Sequence, residues 1–126
     1  MRRFIWSLAG LLIACPVLAR DYDGSAAELA RFAAMWEQAR AQGNLIYGGT
    51  DAAVDVAYFQ GFTMGVALSS MGVAWCPKQS FSMVQIWAIV ATHLRNHPAS
   101  WNGAAQAVVS DAFRQAYPCE AVKSRR

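Results

Sequence analysis

The sequence is poor in the residues from which active sites are commonly built. It has two histidines, three cysteines, and no Asp or Glu between Val56 and Ser110. A serine-nucleophile elbow, a phosphate-binding loop and a dinucleotide fingerprint are all absent. His93 and His97 have the spacing of two helical metal ligands, but His97 precedes a proline, which disfavours helical geometry there. The sequence therefore predicts no metal, no cofactor and a protein that binds rather than catalyses.

Charge is scarce as well. Residues 20–126 carry nine Lys and Arg against eight Asp and Glu, which excludes the basic stripe of a nucleic-acid-binding protein. No charged residue occurs from Val56 to Pro77. This run includes Gln60, Thr63 and three glycines, so it fits a buried central helix better than a membrane span.

The N-terminus has the pattern of a secretory signal peptide. Arg2 and Arg3 precede an apolar stretch, and small residues at 17 and 19 suit cleavage after Ala19. Residues 1–19 are thus predicted to be removed on export to the periplasm, which leaves residues 20–126 as one domain. The segment around Cys15 also resembles a lipoprotein processing box, so lipid anchoring at Cys15 is the alternative.

Two cysteines, Cys76 and Cys119, are left in the exported domain. An oxidising compartment favours disulfides, and two cysteines there should pair. The sequence therefore predicts a Cys76–Cys119 disulfide, which argues against Cys76 as a nucleophile because a catalytic cysteine needs a free thiolate.

Four segments have the apolar periodicity of helices, and none alternates like a strand for long, so the predicted fold is a small all-α bundle of four main helices. Ser25 with Glu28, and Ser82 with Gln85, have capping-box spacing. Asn102 is the predicted cap of the fourth helix. Within the second helix, Gly61 and Gly65 form a small-xxx-small pair, which predicts close packing against another helix of the domain.

The order of several motifs resembles the Rap/Tai immunity proteins of type VI secretion systems. The chain reads "YFQGFTMGVA", "WCP", "SFSMVQIWAIVATHL" ending in "RNHP", and finally "AAQAVVSDAFRQAYPC". The resemblance is strongest over residues 44–119. It implies a periplasmic, all-helical, non-enzymatic protein, often a homodimer, that blocks the active-site cleft of a peptidoglycan amidase effector. The resemblance also implies that Gly61 and Gly65 are helix-packing residues and that Ser82 and Gln85 cap a helix. It further implies that Cys76 and Cys119 form a disulfide that the family shares.

Two loops are the predicted contact elements for such an effector. The first runs from Cys76 to Ser82, next to Trp75 and including Lys78, and the second runs from Arg95 to Asn102. The second is slightly favoured because it has hydrogen-bonding groups, Arg95 and His97, beside a possible aromatic anchor, Trp101. A periplasmic chaperone or another non-enzymatic binding protein is the alternative function.

Overall fold

Four α-helices and a short 3-10 helix form the part of the chain that the computed structural model describes, residues 21–43 and 49–120. The elements are α1 (Ala26–Ala41), α2 (Gly49–Ser70), α3 (Met83–Asn96), the 3-10 helix (Pro98–Asn102) and α4 (Ala105–Ala116). These residues contain no β-strand, so the all-α prediction is confirmed. None of these helices has the length and apolarity needed to cross a membrane. The predicted signal peptide, with Cys15, lies outside the described residues.

A single hydrophobic core joins the four α-helices. Phe32, Phe59, Ile86 and Phe113, one from each helix, are fully buried. The periodicity of the sequence predicts most of this core because apolar residues three and four apart share a helix face. Met83 precedes the buried Ile86 by three residues, and this spacing alone would place it on the apolar stripe of α3. It is the first residue of that helix and is 58% exposed.

Aromatic rings connect α1, α2 and α3 inside this core. The Trp36 ring lies 5.8 Å from Phe59 and 6.2 Å from Trp87, measured between centroids. The indole N–H of Trp87 donates to the backbone carbonyl of Gln60 at 3.1 Å. The polar atom of Trp87 is therefore satisfied where its ring enters the core, as buried indoles require.

Both predicted cap serines begin helices, but only one forms the reciprocal box. Ser82 Oγ accepts from the amide of Gln85, and Gln85 Oε1 accepts from the amide of Ser82. Ser25 Oγ likewise accepts from the Glu28 amide at 3.1 Å, yet Glu28 accepts from the amide of Asp23 instead of that of Ser25. The Ser25 amide donates to Asp23 Oδ1 instead. The second hydrogen bond of the predicted capping box, from the Ser25 amide to the Glu28 side chain, is therefore replaced by one within the preceding turn.

The predicted cap of α4 is wrong, since Asn102 ends the 3-10 helix and α4 begins at Ala105 after Ala104. The Ala105 amide donates to the carbonyl of Gly24, and the Ala26 amide donates to the carbonyl of Gly103, both at 3.0 Å. The first turns of α1 and α4 thus satisfy one another through backbone bonds. No side-chain cap is needed where a distant carbonyl accepts the bond.

The predicted disulfide is present and joins the loop after α2 to the end of α4. The Cα atoms of Cys76 and Cys119 are 4.8 Å apart, and the Cys76 amide donates to the carbonyl of Tyr117 at 2.9 Å. The two cysteines are 43 residues apart in the sequence. Closing a loop of this length contributes about 4 kcal/mol to stability on the chain-entropy model.

The prediction that another helix of the domain crosses α2 at Gly61 and Gly65 is wrong, since no described residue packs against either glycine. Both glycines are exposed, and a Cβ added at either one would meet no atom within 4 Å. The core-facing side of α2 carries larger residues instead, among them Phe59 and Val66. The pattern was assigned to the correct helix, but it lies on the face that points away from the core.

Candidate functional site

A groove of about 530 Å³ runs between α3 and α4 on the surface of the bundle. Small apolar side chains from both helices line it, together with three amide side chains and the two histidines. The lining residues are Gln85, Ala88, Ile89, Thr92, His93, Asn96 and His97 from α3 and its end, and Ala112, Gln115 and Ala116 from α4. Apolar surface combined with polar groups that can hydrogen-bond is typical of a binding surface.

The two histidines stack at the C-terminal end of α3. Their ring centroids are 4.2 Å apart, and His97 Nδ1 lies 2.9 Å from the backbone carbonyl of His93. Burial lowers the pKa of His93 below its ordinary value, and the neighbouring His97 lowers it further, while Asp111 acts in the opposite direction. This end of the groove therefore favours a neutral His93 ring.

A second depression, of about 470 Å³, surrounds the disulfide. Cys76, Lys78 and Gln79 line one side, and residues 116–120 line the other. Ala116 borders both depressions, so the groove between α3 and α4 continues to the disulfide. We call this combined surface, from His97 past Ala116 to Lys78, the α3–α4 groove.

The two loops predicted to contact a partner lie at opposite ends of α3, because one precedes Met83 and the other follows Asn96. A helix of 14 residues is about 20 Å long, so the loops do not form one compact site. The α3–α4 groove includes Lys78 at one end and His97 at the other. Sequence reasoning identified both ends and missed the concave surface between them, which depends on how α4 packs on α3.

The prediction that Trp75 contacts an effector is wrong, because its side chain is fully buried. Its ring stacks on Phe113, and its indole N–H donates to the carbonyl of Ala67 at 2.9 Å. Trp101 is half-buried and donates to the carbonyl of Leu94 at 2.9 Å. Both tryptophans thus hold loops onto the bundle.

The predicted cationic contact residues are exposed, and each has an acidic partner. Lys78 Nζ lies 2.8 Å from Glu120 Oε1, and this hydrogen bond raises the pKa of Lys78 and lowers that of Glu120. Arg95 pairs with Glu37 of α1. Exposed pairs of this kind contribute little to stability, so both cations are available to exchange partners on binding.

No group of three or more His, Cys, Asp or Glu residues that could hold a metal ion occurs in residues 21–43 and 49–120. Cys76 and Cys119 are bonded to each other and provide no thiolate. The features that remain on the α3–α4 groove are its concave surface, the exposed Lys78 and the histidine pair. Such a surface can bind a partner by shape and hydrogen bonding.

Comparison with protein families agrees with this architecture. The model of the Rap1a immunity proteins matches residues 25–119. The chain belongs to the Rap1a immunity protein family. A comparison with curated proteins gave no match. The family match begins at Ser25, so it includes α1, which lies outside the region of strongest motif resemblance in the sequence. As a Rap1a family member the chain is an immunity-type binding protein, and the family implies a cognate effector as its partner.

Proposed function

We propose that this Rap1a family member is exported to the periplasm, where it binds a peptidoglycan amidase effector of type VI secretion and blocks the effector's active-site cleft. The match of the family model over residues 25–119 carries this proposal. A homodimer, which the resemblance to Rap/Tai proteins implies, is included in it. The protein acts by occupying the cleft and takes no part in a chemical step.

We assign the effector contact to the α3–α4 groove together with the loops at its two ends, so that a loop enters the cleft while the groove receives the rim of the cleft. The two ends of the groove carry exposed groups suited to hydrogen bonding, Lys78 at one and His97 at the other. The disulfide holds the loop containing Lys78 against the end of α4. Since a preformed surface loses little conformational entropy on binding, this bracing increases the affinity that a given contact area provides.

The framework of the loops also suits an inhibitor that must keep its shape when bound in a cleft. Its loops are held at both ends of α3 by buried or half-buried tryptophans, Trp75 and Trp101. Each indole N–H donates to a backbone carbonyl of the preceding helix. A loop fixed in this way presents a constant shape to the cleft, which favours stoichiometric and reversible inhibition.

The direct test is an inhibition assay with amidase effectors encoded in the same genome, acting on purified peptidoglycan. We expect one effector to lose activity at a one-to-one ratio with the exported protein. Co-expression in cells should protect them only when the signal sequence is present. If no effector is bound or inhibited, and the protein suppresses aggregation of unrelated unfolded proteins, the chaperone alternative replaces this proposal.

A matched pair of α4 variants tests the surface. Ala116→Arg places a bulky cation where the two depressions meet, and Ala107→Arg places the same residue on the opposite side of that helix, nine positions away. Both alanines are exposed, so both variants should fold. We expect Ala116→Arg to weaken effector binding at least tenfold and Ala107→Arg to bind like the parent. Equal affinities would contradict the assignment of the groove.

A further inference from the structure

The end of the α3–α4 groove at His97 has a defined hydrogen-bonding character. His97 Nδ1 lies 2.9 Å from the backbone carbonyl oxygen of His93. A carbonyl oxygen only accepts hydrogen bonds, so the proton between these two atoms is carried by Nδ1. In the neutral ring the other nitrogen, Nε2, then has no proton and keeps its lone pair. The backbone therefore fixes the tautomer of His97 and leaves Nε2 as a hydrogen-bond acceptor.

The ring of His97 is also held in place before any partner binds. The ring of His93 stacks on it, with the centroids 4.2 Å apart and the planes inclined by 25°. The carbonyl of His93 accepts from the backbone amide of His97 as well, at 3.0 Å. His97 is exposed and lines the groove. A side chain that is ordered in advance loses little entropy when a partner contacts it.

The opposite end of the groove has the reverse character. The ammonium group of Lys78 donates hydrogen bonds and accepts none. Its contact with Glu120, at 2.8 Å, is an exposed ion pair, so a carboxylate or carbonyl of a partner can take the place of Glu120. The amides of Gln85, Asn96 and Gln115 also line the groove, and an amide both donates and accepts. The two ends therefore give the groove a direction that the amides do not.

We propose that the α3–α4 groove binds the rim of the effector's cleft in one orientation, with a hydrogen-bond donor of the effector on His97 Nε2 and an acceptor of the effector on Lys78 Nζ. This inference rests on the proposed function and adds the chemistry of the two contacts. In the reversed orientation, a lone pair of the effector would face the lone pair of Nε2, and a donor would face the ammonium group. Mismatches of this kind exclude wrong orientations and wrong partners.

Protonation reverses the character of the groove at His97. A proton on Nε2 turns the acceptor into a donor and gives the ring a positive charge. The complex therefore favours the unprotonated ring, and affinity is greatest at high pH and falls as the pH is lowered. Two positive charges 4.2 Å apart repel, so the histidine pair takes up its protons one after the other. Release of one proton on binding changes the affinity by at most about tenfold per pH unit.

One carboxylate acts on the histidine pair from α4. Burial is the largest influence on the pKa of His93 and lowers it, His97 lowers it further, and Asp111 raises it. Asp111 Oδ1 also lies 3.3 Å from the guanidinium of Arg114, in an exposed ion pair. The net effect on His93 is a lowered pKa, so the neutral ring is favoured beside His97.

The charged groups of the other neighbouring elements have contacts of their own. From α1, Glu37 pairs with Arg95, and the guanidinium of Arg40 lies over the ring of Trp36, 5.6 Å from its centroid. The 3-10 helix and the part of α2 from Val56 onward have no charged side chain. Within the described residues, the histidine pair is therefore the group at this end of the groove that changes charge between about pH 5 and about pH 8.

Nitrogen-15 NMR of the exported protein tests the tautomer without any effector. Long-range proton–nitrogen correlation spectra distinguish a bare imidazole nitrogen from a protonated one, because their nitrogen shifts differ widely. At about pH 8, where a histidine is neutral, we expect a protonated Nδ1 and a bare Nε2 in His97. The His97→Phe variant identifies the signals of this ring. A bare Nδ1 with a protonated Nε2 in His97 overturns the proposal.

Affinity for the amidase effector found by the inhibition assay tests the contact at this end. His97→Phe keeps a ring and removes the acceptor, whereas His97→Gln keeps an acceptor that does not titrate. At about pH 8, we expect His97→Phe to bind at least tenfold more weakly than the parent, because the effector's donor loses its partner. His97→Gln should recover part of this loss. A His97→Phe variant that binds like the parent overturns the proposal.

The pH profile of binding separates this role from a structural one. Between about pH 8 and about pH 5.5, the parent should lose at least tenfold more affinity than His97→Phe or His97→Gln, whose profiles report only the groups of the effector. His93→Phe keeps a ring that stacks on His97, so its profile should follow that of the parent. Circular dichroism at each pH restricts the comparison to folded protein. Identical profiles for the parent and His97→Phe overturn the proposal.

The Lys78 end tests the orientation. Lys78→Met removes the donor and keeps the length of the side chain, while Lys78→Arg keeps a donor. We expect Lys78→Met to weaken effector binding at least tenfold and Lys78→Arg to weaken it clearly less. The loss in Lys78→Met should be the same at each pH in this range, since a lysine does not titrate there. A Lys78→Met variant that binds like the parent overturns the proposed orientation.

Failure of this inference is distinguishable from failure of the proposed function. An effector that the parent and His97→Phe inhibit equally at every pH leaves the proposed function intact and overturns the inference alone. If no amidase effector is inhibited, the proposed function fails and the assigned contacts fail with it, whatever tautomer the NMR spectra show.

Discussion

Trp75 lies stacked on Phe113, with ring centroids 4.9 Å apart and planes inclined by 22°. This pair connects the loop that follows α2 to the inner face of α4. Gly72 makes the turn possible, since its φ of 78° is unfavourable for other residues and its amide donates to the carbonyl of Trp75 at 2.8 Å. The disulfide at the next residue secures the same loop, so packing and covalent bonding act on one segment.

The Trp75→Ala variant should lose about 3–5 kcal/mol of unfolding free energy, because it removes a fully buried aromatic ring and leaves a cavity. Urea denaturation followed by circular dichroism measures this loss. Trp101→Ala is the comparison, and it should cost clearly less because Trp101 is only half-buried. Similar costs for the two variants would contradict the distinction between a core residue and a surface brace.

Thr63 is fully buried, and its hydroxyl has no hydrogen-bond partner among the described residues. Burying an unsatisfied hydroxyl is unfavourable, and valine has nearly the same shape without that cost. We expect Thr63→Val to raise the unfolding free energy by about 1 kcal/mol. Thr63→Ser keeps the hydroxyl and removes a methyl group, so it should destabilise. A Thr63→Val protein less stable than the parent would show that the hydroxyl is bonded in solution.

Gly61→Ala and Gly65→Ala should each stabilise the monomer by about 0.5–1 kcal/mol, because alanine restricts the unfolded chain and fits the open face. Thermal unfolding at a concentration too low for association measures this gain. The prediction distinguishes an outer face from a buried crossing, where an added methyl group would collide with a neighbour. If both variants were less stable than the parent at low protein concentration, the helix crossing inside the domain that the sequence predicts would be supported instead.

The stability of the protein should fall as the pH is lowered through about 6.5, the ordinary pKa of histidine. The folded state lowers the pKa of His93, so the unfolded chain binds more protons in the window between the two values. Unfolding free energy therefore rises with pH across this window and reaches its full value above it. The groups near the ring are His97 and Asp111, whose influences oppose each other.

Chemical denaturation at a series of pH values from about 5 to about 8 measures this dependence. His93→Gln removes the titrating ring and should flatten the part of the curve below pH 6.5. His97→Gln keeps the His93 ring, so part of the dependence should remain. An unchanged pH profile in His93→Gln would mean that other groups cause the loss of stability in acid.

The helices could be predicted from local patterns, and the disulfide from the export signal and the number of cysteines, while the binding surfaces could not be predicted from either. Ser82 and Gln85 are three residues apart, so their box is visible in the sequence, and the core face of each helix follows from periodicity. Gly61 and Gly65 have a recognisable spacing, but a spacing does not tell which side of the helix faces the core. Trp75 was assigned to a loop correctly, yet its burial depends on Phe113, 38 residues away.

The backbone bonds that connect Gly24 with Ala105, and Ala26 with Gly103, have a consequence for the order of folding. The first turn of α1 completes its hydrogen bonding only with a segment nearly 80 residues further along the chain. These two backbone bonds can therefore form only after the chain as far as α4 has been synthesised. Contacts of such long sequence separation slow folding, because the intervening chain must be ordered before they form. The native bundle is thus assembled late, and a chain interrupted before α4 should remain a substrate for proteases.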